Sequence, residues 1–492
     1  MAFTHEPPSV GLPRSAPEAQ GISSSAVLSF VEAADREVDA IHSVMLVRHG
    51  HVVAEGWWSP YVANVAHRMF SVSKSFTASA VGMVIAEGML SLDDPILRFF
   101  PESAPARPSE NLQAMRVRDL LTMSTGQRAE HVEKIALLTQ DNLTRAFLEL
   151  PVDHKPGTLF VYNTPATYVL SAIVHKVTGA TMLDYLRPRL FAPLGIEQPT
   201  WAASSEGVTL GGIGLSLRTE DIARFGELYL RQGTWQGCAL IPASWVAAAT
   251  ARQASNGSNP DSDWDQGYGY QFWRSRHGAY RADGAFGQFC IVMPRQDAVV
   301  AMTGGTPNMQ GVMNLVWGKL LPAMVEGALR ADPDAHQALE RKLAGLTLHG
   351  PRGSSESPSA RQLSGKTYVF PSNPQNIDAL AMEFRRDDAT LVVYGLGKEH
   401  RIECGYGSWK TGSTEFVVGA HAWLADPVSQ PVAACGAWTS PDVFTLKLSL
   451  YQTPLAVTFT LRFGGERLLV LRADYSVDVD SSRSALLVGD VD

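Results

Sequence analysis

Phe70-Ser71-Val72-Ser73-Lys74-Ser75-Phe76-Thr77 is the stretch whose reading decides the fold. A serine and a lysine three positions apart, at the start of a helix, share one helix face, so the amine reaches the hydroxyl. The helix N-terminus adds positive potential where an oxyanion forms. A lysine held in a desolvated setting has a lowered pKa and can act as a base near neutrality. The run that follows, FTASAVGMVIAE, is apolar enough to bury Lys74, and Gly88 ends the predicted helix over Ser73 to Glu87. Ser-x-x-Lys alone is weak, because about one or two chance matches are expected in a chain of this size; here it occurs once.

Outward from this stretch, Ser23 to Val38 reads as a helix, and Ser43 to Val47 and Val52 to Trp57 as a hairpin turning at His49-Gly50. Helical patterns follow at Val117 to Met123, Thr144 to Leu150, Tyr168 to Val177 and Thr219 to Arg231. A second hairpin spans Gln288 to Met293 and Ala298 to Thr303, turning at Pro294 to Asp297, before an amphipathic helix from Met309 to Met324. Strands at both ends with helices between predict one sheet built from both ends. The fold class is therefore α+β: an antiparallel sheet flanked by helices with a helical insertion, plus a C-terminal all-β domain.

Pro, Gly and Ser dominate LTLHGPRGSSESPSARQL from Leu346 to Leu363, a predicted linker. The expected division is 1–345 catalytic, 346–363 linker and 364–492 a β-sandwich or barrel. Strands are predicted from Ala381, Thr390, Thr414, Phe444, Ala456 and Arg467.

Taken together, several stretches resemble the class C β-lactamase-like serine hydrolases of the penicillin-recognising type. Ser71 to Thr77 is followed by Gly88-Met-Leu-Ser-Leu-Asp-Asp-Pro95. Arg118-Asp-Leu-Leu-Thr-Met-Ser-Thr-Gly126 is similar to that family's Leu-Leu-x-x-x-Ser-Gly segment. Pro156-Gly-Thr-Leu-Phe-Val-Tyr162-Asn163-Thr164 is similar to its Pro-Gly-x-x-Phe-x-Tyr-Ser-Asn. Gly211-Gly-Ile-Gly-Leu-Ser-Leu-Arg-Thr-Glu-Asp-Ile-Ala-Arg-Phe225 and Ala282-Asp-Gly284-Ala-Phe-Gly287-Gln288 agree in order. The resemblance covers about Leu12 to Met324.

The resemblance implies Ser71 as nucleophile, Lys74 as its partner and Tyr162 as a proton shuttle. It implies an oxyanion hole from the backbone N–H groups of Ser71 and Ala285. Thr164, Asp283, Gly284 and Gln288 fall at substrate-binding positions, with Gly284 letting substrate approach the backbone. Lys74 would supply the positive charge that makes Tyr162 a useful base. Two departures stand out: Thr164 replaces an amide, and Ala282-Asp283-Gly284 lacks the family's Lys or His. The loss of that cation disfavours β-lactams and favours esters or simple amides, with Arg274, Arg276 or Arg281 as candidate anion anchors. The literal Lys410-Thr411-Gly412 falls after the linker and reads as a hairpin turn.

The expected activity is acyl transfer from carboxylic esters or simple amides through a Ser71 acyl-enzyme. An amidase, peptidase or weak β-lactamase on the same site, and a silent acyl-binding protein, remain as alternatives. A net charge of −8, from 49 acidic and 41 basic residues, excludes the basic footprint of nucleic-acid binding. No apolar run reaches the ~18 residues of a membrane helix, and no secretory signal is visible, so a cytoplasmic location is expected. Cys238, Cys290, Cys404 and Cys435 lack metal-site spacing and read as mostly buried thiols, so no cofactor and no metal are expected. The expected partner is a small-molecule ester or amide, with no nucleic acid and no membrane; homo-oligomer formation is left open.

Overall fold

The computed structural model describes residues 11–130, 142–395, 397–416, 429–477 and 484–491. The N-terminal region is built on a six-stranded antiparallel sheet. Its order is His51–Trp57, Ile41–Arg48, Ala298–Gly304, Gln288–Met293, Tyr280–Gly284 and Trp273–Arg274. The chain's early hairpin thus lies beside its late one through the pairing of Val44 with Met302 and Leu46 with Val300. The helical insertion lies between them in sequence, as the patterning predicts.

Every residue of Ile41–Arg48, Gln288–Met293 and Ala298–Gly304 is buried. Side chains alternate between faces along a strand, so two cores form. Met45, Val47, Cys290, Val292, Val299 and Ala301 pack into one core with helix Thr219–Leu230 and helix Ser73–Ala86. Val44, Leu46, Ile291, Val300 and Met302 pack into the other with helix Ser24–Glu37. Ser23 caps that helix by accepting from Ala26 N–H, as its position predicts. Helix Ser73–Ala86 is almost wholly buried, which explains why its sequence shows no polar face.

The C-terminal region, from Thr367 on, is a closed β-barrel. From Lys398–Tyr406 the order runs through Asp388–Gly395, Ala379–Phe384, Thr367–Val369, Ser484–Val491, Leu468–Tyr475, Ala456–Gly464, Val443–Ser449 and Gln430–Ser440. Closure comes from a short parallel pairing of Gly405 with Cys435 and Tyr406 with Gly436. Lys410–Thr414 pairs along the first half of Gln430–Ser440, so the Lys-Thr-Gly triplet lies on a strand, not in the turn expected of it. The strand expected from Thr414 begins where that one ends and runs outside the described residues.

The barrel meets the N-terminal region beside the strand His67–Arg68 that leads into Phe70–Val72. The turn after Val443–Ser449 accepts the Arg68 N–H at Gln452 O (2.8 Å). The same turn accepts the Tyr61 hydroxyl at Thr453 O (3.0 Å). Tyr61 stacks on His42, 3.7 Å between centroids, and His42 contacts His67 at 3.1 Å. Burial holds His67 down at about 4, so this interface is built from neutral imidazoles at physiological pH.

Among the described residues, no helix is long and apolar enough to cross a membrane. Cys290, Cys404 and Cys435 are buried as expected, whereas Cys238 is exposed.

Candidate active site

A 3-10 turn, Phe70–Val72, leads into helix Ser73–Ala86 and presents Ser71 at its mouth. Phe70 adopts φ 48°, the left-handed region disfavoured for bulky residues, and such local strain concentrates where a side chain must be aimed. One turn on, Lys74 is 1% exposed. Its Nζ lies 2.8 Å from Ser71 Oγ, 3.0 Å from Gly212 O and 3.1 Å from Thr164 Oγ1. Burial lowers its pKa from 10.5 to about 7, against the opposing pull of Glu130 and then Asp283.

Tyr162 arrives from the loop before helix Thr164–Thr178. Val161 N–H donates to Met123 O (2.9 Å), and Gly157 N–H to Ser124 O (2.7 Å), so the Leu-Leu-Thr-Met-Ser segment cradles the tyrosine loop. Asn163 caps the helix by accepting from Ala166 N–H and donates to Gln127. The Lys74 Nζ lies 4.8 Å from the Tyr162 ring centre. Burial pushes the phenol well above its ordinary value; a hydrogen bond with Ser71 opposes this, while Asp283 and Glu130 add to it. Burial, Asp283 and Glu130 therefore favour a protonated Tyr162 phenol rather than the lowered one that the expected base would need.

The Gly-Gly segment supplies a backbone acceptor. A Cβ on Gly212 would stand 2.8 Å from Thr164 Cγ2 and 3.1 Å from Thr164 O, so glycine here gives Thr164 room to approach. Across the cleft, a Cβ on Gly284 would stand 2.3 Å from Met69 O. Gly284 thus admits the backbone leading into Ser71. Phe286 meets Phe70 edge-on at 5.5 Å. Ala285, between Gly284 and Phe286, is held beside the Ser71 turn.

Gln288 is fully buried and donates to Ala285 O (3.0 Å) and Gly304 O (2.7 Å) while accepting from Gly304 N–H (3.3 Å). Its amide is spent on the backbone of its own hairpin, which corrects its placement as a substrate ligand. Thr164 Oγ1 accepts from Lys74 Nζ. Asp283 pairs with Arg281 at 2.8 Å, and Arg281 is 0% exposed. Arg281 also donates to Asp263 O and Ser275 Oγ. Arg276 is tied to Asp263 and Asn314, and Arg274 to Thr250 O. All three candidate anion anchors are thus engaged within the protein. Lys410 sits on the barrel, bridged to Asp388 and Glu403.

One residue missed in the sequence is Glu130. Its Oε1 accepts from both Thr164 N–H (3.1 Å) and Thr164 Oγ1–H (2.7 Å). Nothing local signals this, because the contact joins positions 34 apart.

The family described as Beta-lactamase matches residues 34–311. Among curated proteins, 6-aminohexanoate-dimer hydrolase of Paenarthrobacter ureafaciens is 26% identical over 54% of this chain and 72% of its own. Penicillin-binding protein 4 of Amycolatopsis lactamdurans is 26% identical over 47% and 70%. Among solved structures, EstCE1, a hydrolase with promiscuous acyltransferase activity, superposes with a TM-score of 0.50 at 16% identity, over 60% of this chain and 99% of its own. That likeness bears on the fold alone. With more than half of its length matched, the chain belongs to the Beta-lactamase family of hydrolases.

Proposed function

We propose that this hydrolase cleaves carboxylic esters or simple amides through an acyl-enzyme on Ser71, with residues 1–345 as the catalytic unit. The carrying observation is the buried Lys74 amine, 2.8 Å from Ser71 Oγ and poised near pH 7 to accept a proton. In this scheme neutral Lys74 takes the Ser71 proton as Oγ attacks the carbonyl carbon. The N–H groups of Ser71 and Ala285 hold the oxyanion. Protonated Tyr162 donates to the leaving oxygen or nitrogen and regains its proton from the Lys74 ammonium. Water then attacks the acyl ester while neutral Lys74 accepts its proton, and the Lys74 ammonium returns that proton to Ser71 Oγ as the Oγ–acyl bond breaks and the acid leaves.

Ester preference is supported by the third motif. Ala282 replaces a cation, Asp283 brings a carboxylate, and the nearby arginines are engaged. Among the described residues there, Arg281 and Arg276 are paired with Asp283 and Asp263, and Arg274 is held by the Thr250 carbonyl, which argues against penicillin-like ligands. The likeness to a 6-aminohexanoate-dimer hydrolase favours small amides as the second reading. Steady-state kinetics on p-nitrophenyl esters, p-nitroanilides and nitrocefin test this. Esters are expected to lead and nitrocefin to trail; nitrocefin as the best substrate would overturn the preference. An adduct that never decays would instead show an acyl-binding protein.

A further inference from the structure

The geometry points to Glu130 as a positioning residue that, through Thr164, fixes which way the Lys74 amine faces. The inference rests on the serine-hydrolase reading above. It follows from counting protons around Nζ. Gly212 O can only accept. Thr164 has one hydroxyl proton, and the Glu130 carboxylate draws it at 2.7 Å while also binding Thr164 N–H. The Thr164 oxygen must then accept from Lys74. A neutral amine has two N–H bonds and one lone pair. With both N–H bonds directed to Gly212 O and Thr164 Oγ1, the lone pair is left for Ser71 O–H, the polarity a general base needs.

The same count explains the departure at position 164. The amide found there in similar sequences carries a carbonyl that accepts without ambiguity. A threonine hydroxyl rotates, and could donate to Lys74 and occupy the lone pair. Glu130 removes that freedom, so Thr164 and Glu130 together replace one amide oxygen. Glu130 also acts by charge. The groups facing Lys74 are Glu130, Asp283 on strand Tyr280–Gly284, the neutral Tyr162 phenol, and Arg281, which is paired to Asp283. Removing the Glu130 charge takes away one of the two carboxylates that favour ammonium.

The test uses the full chain and p-nitrophenyl butyrate. Thr164→Val is expected to lower kcat by about tenfold or more with KM changed less than about twofold, and Thr164→Ser to restore it. Glu130→Gln is expected to move the acid limb of kcat/KM to lower pH, which a merely structural residue would not do. Thr164→Val at wild-type kcat, or Glu130→Gln with an unmoved limb, would overturn the inference; if Thr164→Val misfolds, the Glu130→Gln limb decides. Ser71→Ala separates the two levels. Full activity in Ser71→Ala sinks the parent reading, whereas an inert Ser71→Ala beside a wild-type-like Thr164→Val sinks only this one.

Discussion

Raising the pH from 5 to 8 should switch the hydrolase on along a one-proton curve with its midpoint at about 7. Burial lowers Lys74 from 10.5 to about 7. At about 1.4 kcal/mol per tenfold, this is a bias on the order of 5 kcal/mol toward the neutral amine. At pH 7 about half of the molecules carry a neutral Lys74, against roughly one in three thousand for an unperturbed lysine. Below the midpoint kcat/KM should fall about tenfold per pH unit. Stopped-flow release of p-nitrophenol, in constant-ionic-strength buffers and with folding checked at each pH, reads the limb. Lys74→Arg supplies the companion test: guanidinium cannot be deprotonated in this range, so kcat should fall by about 10² to 10⁴ at every pH. A limb near pH 10, a flat profile, or an active Lys74→Arg enzyme would refute the argument from desolvation.

Three further outcomes follow from the same geometry. Because folding lowers the Lys74 pKa, the unfolded chain binds the extra proton between about pH 7 and 10.5; wild-type stability should therefore rise across that window relative to Lys74→Met, read by urea unfolding. Arg281→Ala leaves Asp283 buried and unpaired and should destabilise the fold by about 3–5 kcal/mol in the same assay. Lys410→Ala, on the barrel, should leave kcat/KM within about twofold, since it removes only a partly exposed ion pair.

The parts of the fold legible in the sequence are those with strong local signals. The hairpin Gln288–Met293 and Ala298–Gly304 was set by two apolar runs around Pro294 to Asp297, and helix Thr219–Leu230 by its apolar period. Strands Lys398–Tyr406 and Gln430–Ser440 escaped notice for opposite reasons. The first alternates charged residues with His400, Ile402 and Cys404; the second is rich in Ala and Gly, because small residues fit the seam where Gly436 lies against Phe444 and Cys404. At the site, Ser71, Lys74 and Tyr162 could be proposed from motif order alone. Glu130 and the Gly212 carbonyl could not, because a long-range carboxylate contact and a backbone acceptor have no sequence signature. Gln288 was misplaced because its motif neighbours the cleft while its side chain turns back into the hairpin.

The most direct test of the central claim is intact-mass and peptide-mapped labelling with a fluorophosphonate, run beside hydrolysis of a p-nitrophenyl ester. The account predicts one adduct, on the peptide holding Ser71, with both label and turnover lost in Ser71→Ala. A label on another residue, or undiminished hydrolysis by pure Ser71→Ala protein, would contradict it.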